Sequence, residues 1–206
     1  MVALIPGGNF AGAFLSGQNL SGRNLNGITL DRATMQGTIL NRASLVGASL
    51  QSADMAGVKG IGANLNRANL TGAKLLGADF TNGFLANAKF ERADISGIIF
   101  NRTNLSGADF TGTTFTDARI SNSNFNYANL SGLSITDTGF GGSTFIGANL
   151  SRITVKIEID RSGFCPNTSI NNFKFDLTTG ALSFNDRQFA TVRNSNLVVG
   201  QDLVFV

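Results

Sequence analysis

Residues 63–72 read Ala63-Asn64-Leu65-Asn66-Arg67-Ala68-Asn69-Leu70-Thr71-Gly72, two units of one five-residue pattern. Each unit runs small, polar, large apolar, and then two residues suited to a corner. Working outward, the large apolar residue recurs at every fifth position from Phe10 to Val155. It fills 29 of the 30 positions in that column, with Gly60 as the gap. A random chain with 42% apolar residues would not produce such a column. Period five matches neither the 3.6 of a helix nor the 2 of a long strand.

It does suit a very short extended piece followed by a turn. Residues two apart in an extended piece share a side. The small residue two before the centre (Ala33, Ala43, Ala53, Ala63, Ala73 and others) therefore points inward with the large one. The Asn, Asp, Ser or Thr between them faces water. Two after the centre Gly predominates and Arg comes second, as at Arg32, Arg42, Arg67, Arg92, Arg102 and Arg152. Gly there takes φ > 0 without steric penalty. Repeated, the pattern predicts coils stacked about 4.8 Å apart, burying a core that no single repeat could bury alone. Gly60, within Lys59-Gly60-Ile61, is the expected site of any break in the coil.

These columns resemble the pentapeptide-repeat family, whose consensus is Ala-(Asp/Asn)-Leu-X-X. The close matches are Ala53-Asp54-Met55, Ala63-Asn64-Leu65, Ala68-Asn69-Leu70, Ala78-Asp79-Phe80, Ala93-Asp94-Ile95, Ala108-Asp109-Phe110, Ala128-Asn129-Leu130 and Ala148-Asn149-Leu150. The match spans about residues 8–155 without an insertion. The resemblance implies an all-β fold, a right-handed quadrilateral β-helix of about seven coils and about 35 Å in length. Four repeats per turn would stack positions 20 residues apart. Phe80, Phe100 and Phe140 would then share a wall with Ile120, Phe90 and Phe110 would share the opposite wall, and Phe125 would stack with Phe145.

Composition excludes much. Histidine is absent, so no Ser-His-Asp triad, Cys-His dyad or His-ligated metal site exists. The lone Cys165 forms neither an intramolecular disulfide nor a Cys-rich zinc site, and without His beside it is not an expected nucleophile. Carboxylate pairs such as Asp31 or Asp54 with Asp94 would point to solvent on a rod that has no cleft. The reading is therefore not an enzyme, with no cofactor, no metal and no small-molecule substrate. The net charge is only +3 and no Lys/Arg run occurs, so nucleic acid is not expected, and no window of about 20 uninterrupted apolar residues offers membrane insertion. The opening Met1-Val2-Ala3-Leu4-Ile5-Pro6-Gly7-Gly8 lacks a basic region and breaks at Pro6, unlike a signal peptide. A cytoplasmic location is expected, with a virion as the other setting.

The fourfold register sorts the charges by face. One face collects Asp54, Asp94, Asp117 and Asp137 against Lys74. A neighbouring face collects Arg42, Lys59, Arg102 and Arg119 against Asp79, and exposes Ile39, Ile61 and Ile99. That mixed basic and apolar strip is the candidate partner face. The family includes gyrase-protecting proteins that imitate DNA through negative charge. This chain's net positive charge and lack of a recognisable dimerising helix argue against that role, which stays as an alternative.

Past Val155 the metre gives way to period-two alternation, dividing the chain into a rod (1–155) and an antiparallel β capping or assembly module (156–206). Expected strands there include a hairpin through Phe173–Leu177 and Leu182–Phe184, and another strand over Phe189–Val192. Leu197, Val198 and Val199 with Leu203, Val204, Phe205 and Val206 would close a last hairpin and form the candidate assembly segment. The functional expectation is a non-catalytic structural or scaffold rod joining protein partners in an oligomer or larger assembly. A phage tail or virion surface component is the second setting for the same role.

Overall fold

A computed structural model describes residues 3–136 and 138–156, and the backbone of strands at 173–176, 181–184, 187–191 and 203–205. Between Asn9 and Asn149 the residue before each apolar centre bridges in parallel to the residue twenty positions on. Asn9 pairs with Thr29, Thr29 with Ser49, and so on around four faces. Four five-residue sides thus make one coil of a β-helix, and the described elements are strands only. Where pairing widens to three residues the sides become strands: β1 (Ile99–Asn101), β2 (Thr114–Thr116), β3 (Arg119–Ser121), β4 (Ser134–Thr136) and β5 (Gly139–Gly141). β1 pairs with β3 and β3 with β5, and β2 pairs with β4, all in parallel at a 20-residue register.

The main-chain donors explain the period. In the unit Asn69–Ala73, Leu70 N–H donates upward to Lys89 O (2.8 Å) and Gly72 N–H to Glu91 O (2.9 Å). Asn69 N–H donates downward to Ala48 O (2.9 Å), and Ala73 N–H closes the turn onto Leu70 O (2.9 Å). That turn has a positive φ only at its third residue, Gly72 (+67°), the pattern of a type II turn. One donor of the five, Thr71 N–H, has no main-chain partner, and the Asn69 Oδ1 accepts it at 3.1 Å. The polar column before each centre is therefore Asn or Asp for a structural reason beyond wetting the surface: it caps the donor the ladder leaves over.

Every described centre from Leu15 to Phe145 apart from half-buried Ile135 is buried, and so are the Ala residues two before them except half-buried Ala13. The phenylalanines stack as the 20-residue register requires. Phe90 and Phe110 are parallel at 4.7 Å, Phe125 and Phe145 at 5.1 Å, and Phe80 and Phe100 are tilted at 6.4 Å. The shaft is narrow enough for opposite walls to touch, Phe90 meeting Phe100 edge-on at 6.0 Å. Hydroxyls that replace Ala in the small column donate to main-chain carbonyls: Thr38 Oγ1 to Leu15 O (2.8 Å) and Thr103 Oγ1 to Phe80 O (2.9 Å) of the coil below, and Thr113 Oγ1 to Phe110 O (2.7 Å) of its own turn.

The expected break at Gly60 does not occur. Lys59 bridges Ile39 below and Asp79 above, and Gly60 N–H donates to Asp79 O at 2.7 Å. The gap in the column is filled from the next coil: a Cβ built on Gly60 would lie 2.6 Å from both Cδ1 and Cε1 of Phe80. Gly60 is the clearance for that ring.

At the upper end, β6 (Ser143–Thr144) and β7 (Ile153–Lys156) continue the sides, β7 pairing in parallel with β4. The remaining strands are β8 (Phe173–Asp176), β9 (Ala181–Phe184), β10 (Arg187–Thr191) and β11 (Leu203–Phe205). β8, β9 and β10 pair antiparallel in order, and β10 adds in parallel to β6. β11 adds in parallel to β7, with Leu203 opposite Ile153 and Phe205 opposite Val155. That pairing takes β11 to the helix rather than to a hairpin partner. Leu197, Val198, Val199, Val206 and the Cys165 segment lie outside the described residues.

Candidate functional site

One wall has the inward column Leu20, Leu40, Gly60, Phe80, Phe100, Ile120 and Phe140. Its outer ladder climbs through Asn19, Ile39, Lys59, Asp79, Ile99 and Arg119, each bridged to the next. Arg42 and Arg102 sit on the following corner with φ of 57° and 54°, and Ile61 stands beside Gly60 at 40% exposure. Arg42 and Arg102 are three coils apart, about 14 Å at the ~4.8 Å rung spacing, as are Lys59 and Arg119. All seven candidate residues of the partner face therefore lie on one wall. The four cations are exposed, whereas Ile39 and Ile99 are only half-exposed because each is sandwiched between rungs.

Among the described residues none of these cations is held in an ion pair. Asp79, the ladder neighbour of Lys59, uses its Oδ1 to accept Thr81 N–H at 2.9 Å. The stem of Arg42 lies over Gly62, whose absent Cβ would be 3.5 Å from Arg42 Cγ. The result is a flat, positively charged strip with apolar rungs whose cations have no ion-pair partner among the described residues.

The adjacent wall carries the acidic set. Asp54 and Asp94 occupy its outer ladder with Lys74 bridged between them, and Asp117 holds a corner at φ 52°. Asp137 lies outside the described residues. Each of these ladder carboxylates has structural work. Asp54 Oδ1 accepts Ala56 N–H (3.3 Å) while its Oδ2 accepts Gln36 Nε2–H (2.7 Å). Asp94 Oδ1 accepts Ser96 N–H (3.1 Å) and the Ser96 hydroxyl (2.7 Å). Asp31, on another wall, accepts the Ser49 hydroxyl (2.6 Å) and Gln51 N–H (3.0 Å). Two rungs and a lysine separate Asp54 from Asp94, so these two carboxylates do not form a close pair. Among the described residues no cluster of His, Cys, Asp and Glu fits a metal ion, and no helix is long and apolar enough to cross a membrane.

Reading the polar column as solvated surface missed the capping network. Its signal is in the sequence: Asn and Asp, whose side-chain carbonyl reaches an N–H two residues on, crowd the position before the centre. Where that position is something else, the residue after the centre in the coil below is often Asn or Asp and caps from there. Asn26 Oδ1 takes Val46 N–H (2.9 Å), Asn41 takes Ile61 N–H (3.0 Å), Asn66 takes Ala86 N–H (2.8 Å) and Asn126 takes Ile146 N–H (2.8 Å).

Comparison with known proteins places this geometry. A family model described as pentapeptide repeats matches in eight copies, covering residues 30–59, 48–85, 85–122 and 115–152. No curated protein sequence matches. Among solved structures the chain is similar to trypsin-treated QnrB1, described as a plasmid-mediated fluoroquinolone resistance protein. That likeness has a TM-score of 0.53 and 16% identity over 94% of this chain and 92% of that one. It is also similar to HetL, a pentapeptide repeat protein involved in heterocyst differentiation regulation from the cyanobacterium Nostoc sp. strain PCC 7120. There the TM-score is 0.43 and the identity 23%, over 73% and 74% of the two chains. At 16% identity the likeness to QnrB1 is one of fold, a right-handed β-helix.

Proposed function

We propose, from the premise that this chain belongs to the pentapeptide-repeat family, that it is a non-catalytic scaffold presenting a rigid rod to protein partners. The observation that carries this reading is the strip of Arg42, Lys59, Arg102 and Arg119 with Ile39, Ile61 and Ile99 on one flat wall, its cations unpaired among the described residues. A solvent-facing cation without an intramolecular partner keeps its attraction for an incoming acidic group, and the isoleucine rungs supply area that can be dried on contact. The rod is read as residues 1–155, about seven coils, with 156–206 as the capping and assembly segment. Parallel addition of β11 to β7 and of β10 to β6 supports a cap, since it covers edges that would otherwise template pairing with another chain. Leu203, Val204 and Phe205 lie in that edge-covering strand, and Leu197, Val198, Val199 and Val206 complete the proposed assembly segment.

Gyrase binding by DNA mimicry is not the reading favoured here. The fold-level likeness to QnrB1 brings no role with it, and the wall of Arg42, Lys59, Arg102 and Arg119 is positive. The test is a cross-linking pull-down from extract of the source cells with wild type and a Lys59→Glu/Arg102→Glu/Arg119→Glu variant. The expected result is a defined set of proteins captured by the first and lost from the second, with both melting alike. Identical capture by both would refute the assignment of the face.

A further inference from the structure

The wall built on Leu45, Leu65, Leu85, Leu105, Phe125 and Phe145 differs in chemistry from the other three. Across the six sides 43–47, 63–67, 83–87, 103–107, 123–127 and 143–147 the only formal charge is Arg67, and the lower side, 23–27, adds Arg23. Phe84 stands out from it at 50% exposure and Tyr127 at 71%.

Both rings occupy positions that the repeat gives to other residue types. Tyr127 holds a corner at φ +62°, where every other corner of the described rod with positive φ is Gly, Arg, Asn, Ser or Asp. Its ring rests on Gly147, where an added Cβ would be 2.7 Å from Tyr127 Cδ1. Phe84 stands where Asn or Asp would cap Ala86 N–H, and Asn66 of the coil below supplies that cap.

The surrounding amides are oriented by their own caps. Asn64, Asn66, Asn104, Asn124 and Asn126 each give their Oδ1 to a turn N–H, at 3.1, 2.8, 3.1, 2.9 and 2.8 Å. A backbone N–H demands the amide oxygen, so each Nδ2 is directed away from it with two hydrogens to donate. Among the described residues these five nitrogens make no hydrogen bond of their own. The wall therefore has few charges, is flat and rich in outward amide donors, and carries two exposed aromatic faces.

We infer that this wall binds a neutral polysaccharide, a ribbon-like chain of β-linked pyranose rings. Such a chain offers hydroxyl and ether oxygens to the amide donors and C–H-lined ring faces to Phe84 and Tyr127, and it brings no charge. A polyanion finds few cations to neutralise here, and would be drawn to the basic wall instead. The inference does not depend on the basic wall acting as a partner surface.

The test is affinity electrophoresis in acidic native gels containing hydroxyethylcellulose, glucomannan or xylan. Wild type is expected to be retarded by at least one of the three. Tyr127→Gly and Phe84→Asn should each weaken the apparent affinity at least fivefold, and together abolish retardation. Glycine suits the corner φ, and Asn restores the repeat's own cap, so both variants are expected to melt no lower than wild type. Lys59→Glu should leave the retardation unchanged. Three results would each overturn the inference: no retardation by any of the three polymers, undiminished retardation of the double variant, or retardation only by an anionic polymer such as dextran sulfate.

Discussion

Gly60→Leu would complete the apolar column, and a consensus argument says that it should stabilise the rod. The structure says the opposite. Gly60 has no positive φ, so the substitution carries no left-handed strain. The obstacle is steric: the new Cβ alone would lie 2.6 Å from two atoms of the fully buried Phe80 ring, itself hemmed in by Phe100 at 6.4 Å. Overpacking of a filled core costs about 1–3 kcal/mol. At about 2–4 °C per kcal/mol for a chain of this size, the melting temperature should fall by about 2–12 °C. Phe80→Ala alone removes the ring and should cost about 3–5 kcal/mol through the cavity it leaves. Combined, the two changes place Leu in the space that Phe80 vacates. The double variant should be more stable than Phe80→Ala alone, a favourable coupling of about 2–3 kcal/mol. Far-UV circular dichroism melts of the four proteins measure the cycle. Simple additivity, or a Gly60→Leu protein as stable as wild type, would refute the claim that Phe80 occupies the Gly60 site.

Other outcomes follow from the same geometry. Leu70→Asp places a carboxylate at a fully buried centre and should destabilise by several kcal/mol, read as a lost or strongly lowered melt. Asn66→Ala should cost about 1 kcal/mol by leaving Ala86 N–H uncapped, and the same change made on a Phe84→Asn background should cost almost nothing, because residue 84 then caps locally. A chain ending at residue 160 should keep the β-helix spectrum but show more self-association by light scattering, since β7 and β6 lose the strands added to them. Unchanged scattering would count against the capping role.

Much of this fold is legible in the sequence because one rule is applied thirty times. A large residue every fifth position leaves a single consistent inside, and counting by twenty then assigns each outer residue to a wall. Hence the sequence alone groups Lys59, Arg119, Arg42 and Arg102. Gly60 was misleading for a physical reason. A column of single residues does not show that a neighbour twenty positions later is large enough to fill two sites. The capping network was hidden because polar residues on a surface satisfy two explanations, solvation and hydrogen bonding, and only the count of main-chain donors separates them. The last strand shows a third limit. Period-two alternation marks Leu203–Phe205 as extended but says nothing of its partner, and that partner, Ile153–Val155, lies fifty residues away and runs parallel.

The donor count also bears on how surface residues should be weighed. Four of the five N–H groups in a unit such as Asn69–Ala73 are satisfied by the main chain whatever the outer side chains are. The fold asks one thing of the outer surface, an amide or carboxylate oxygen near the fifth donor, and that oxygen can come from the same coil or the one below. Wherever the coil below provides it, the outer position is released from structural duty. Lys59 is such a position, with Asn41 capping Ile61 N–H in its place, and Phe84 is another, with Asn66 capping Ala86 N–H. These two residues stand on different walls, one basic with isoleucine rungs and one sparsely charged with exposed rings. Folding calls for neither a lysine nor a phenylalanine at those points. Their chemistry is therefore better explained by what meets each wall from outside than by what holds the rod together.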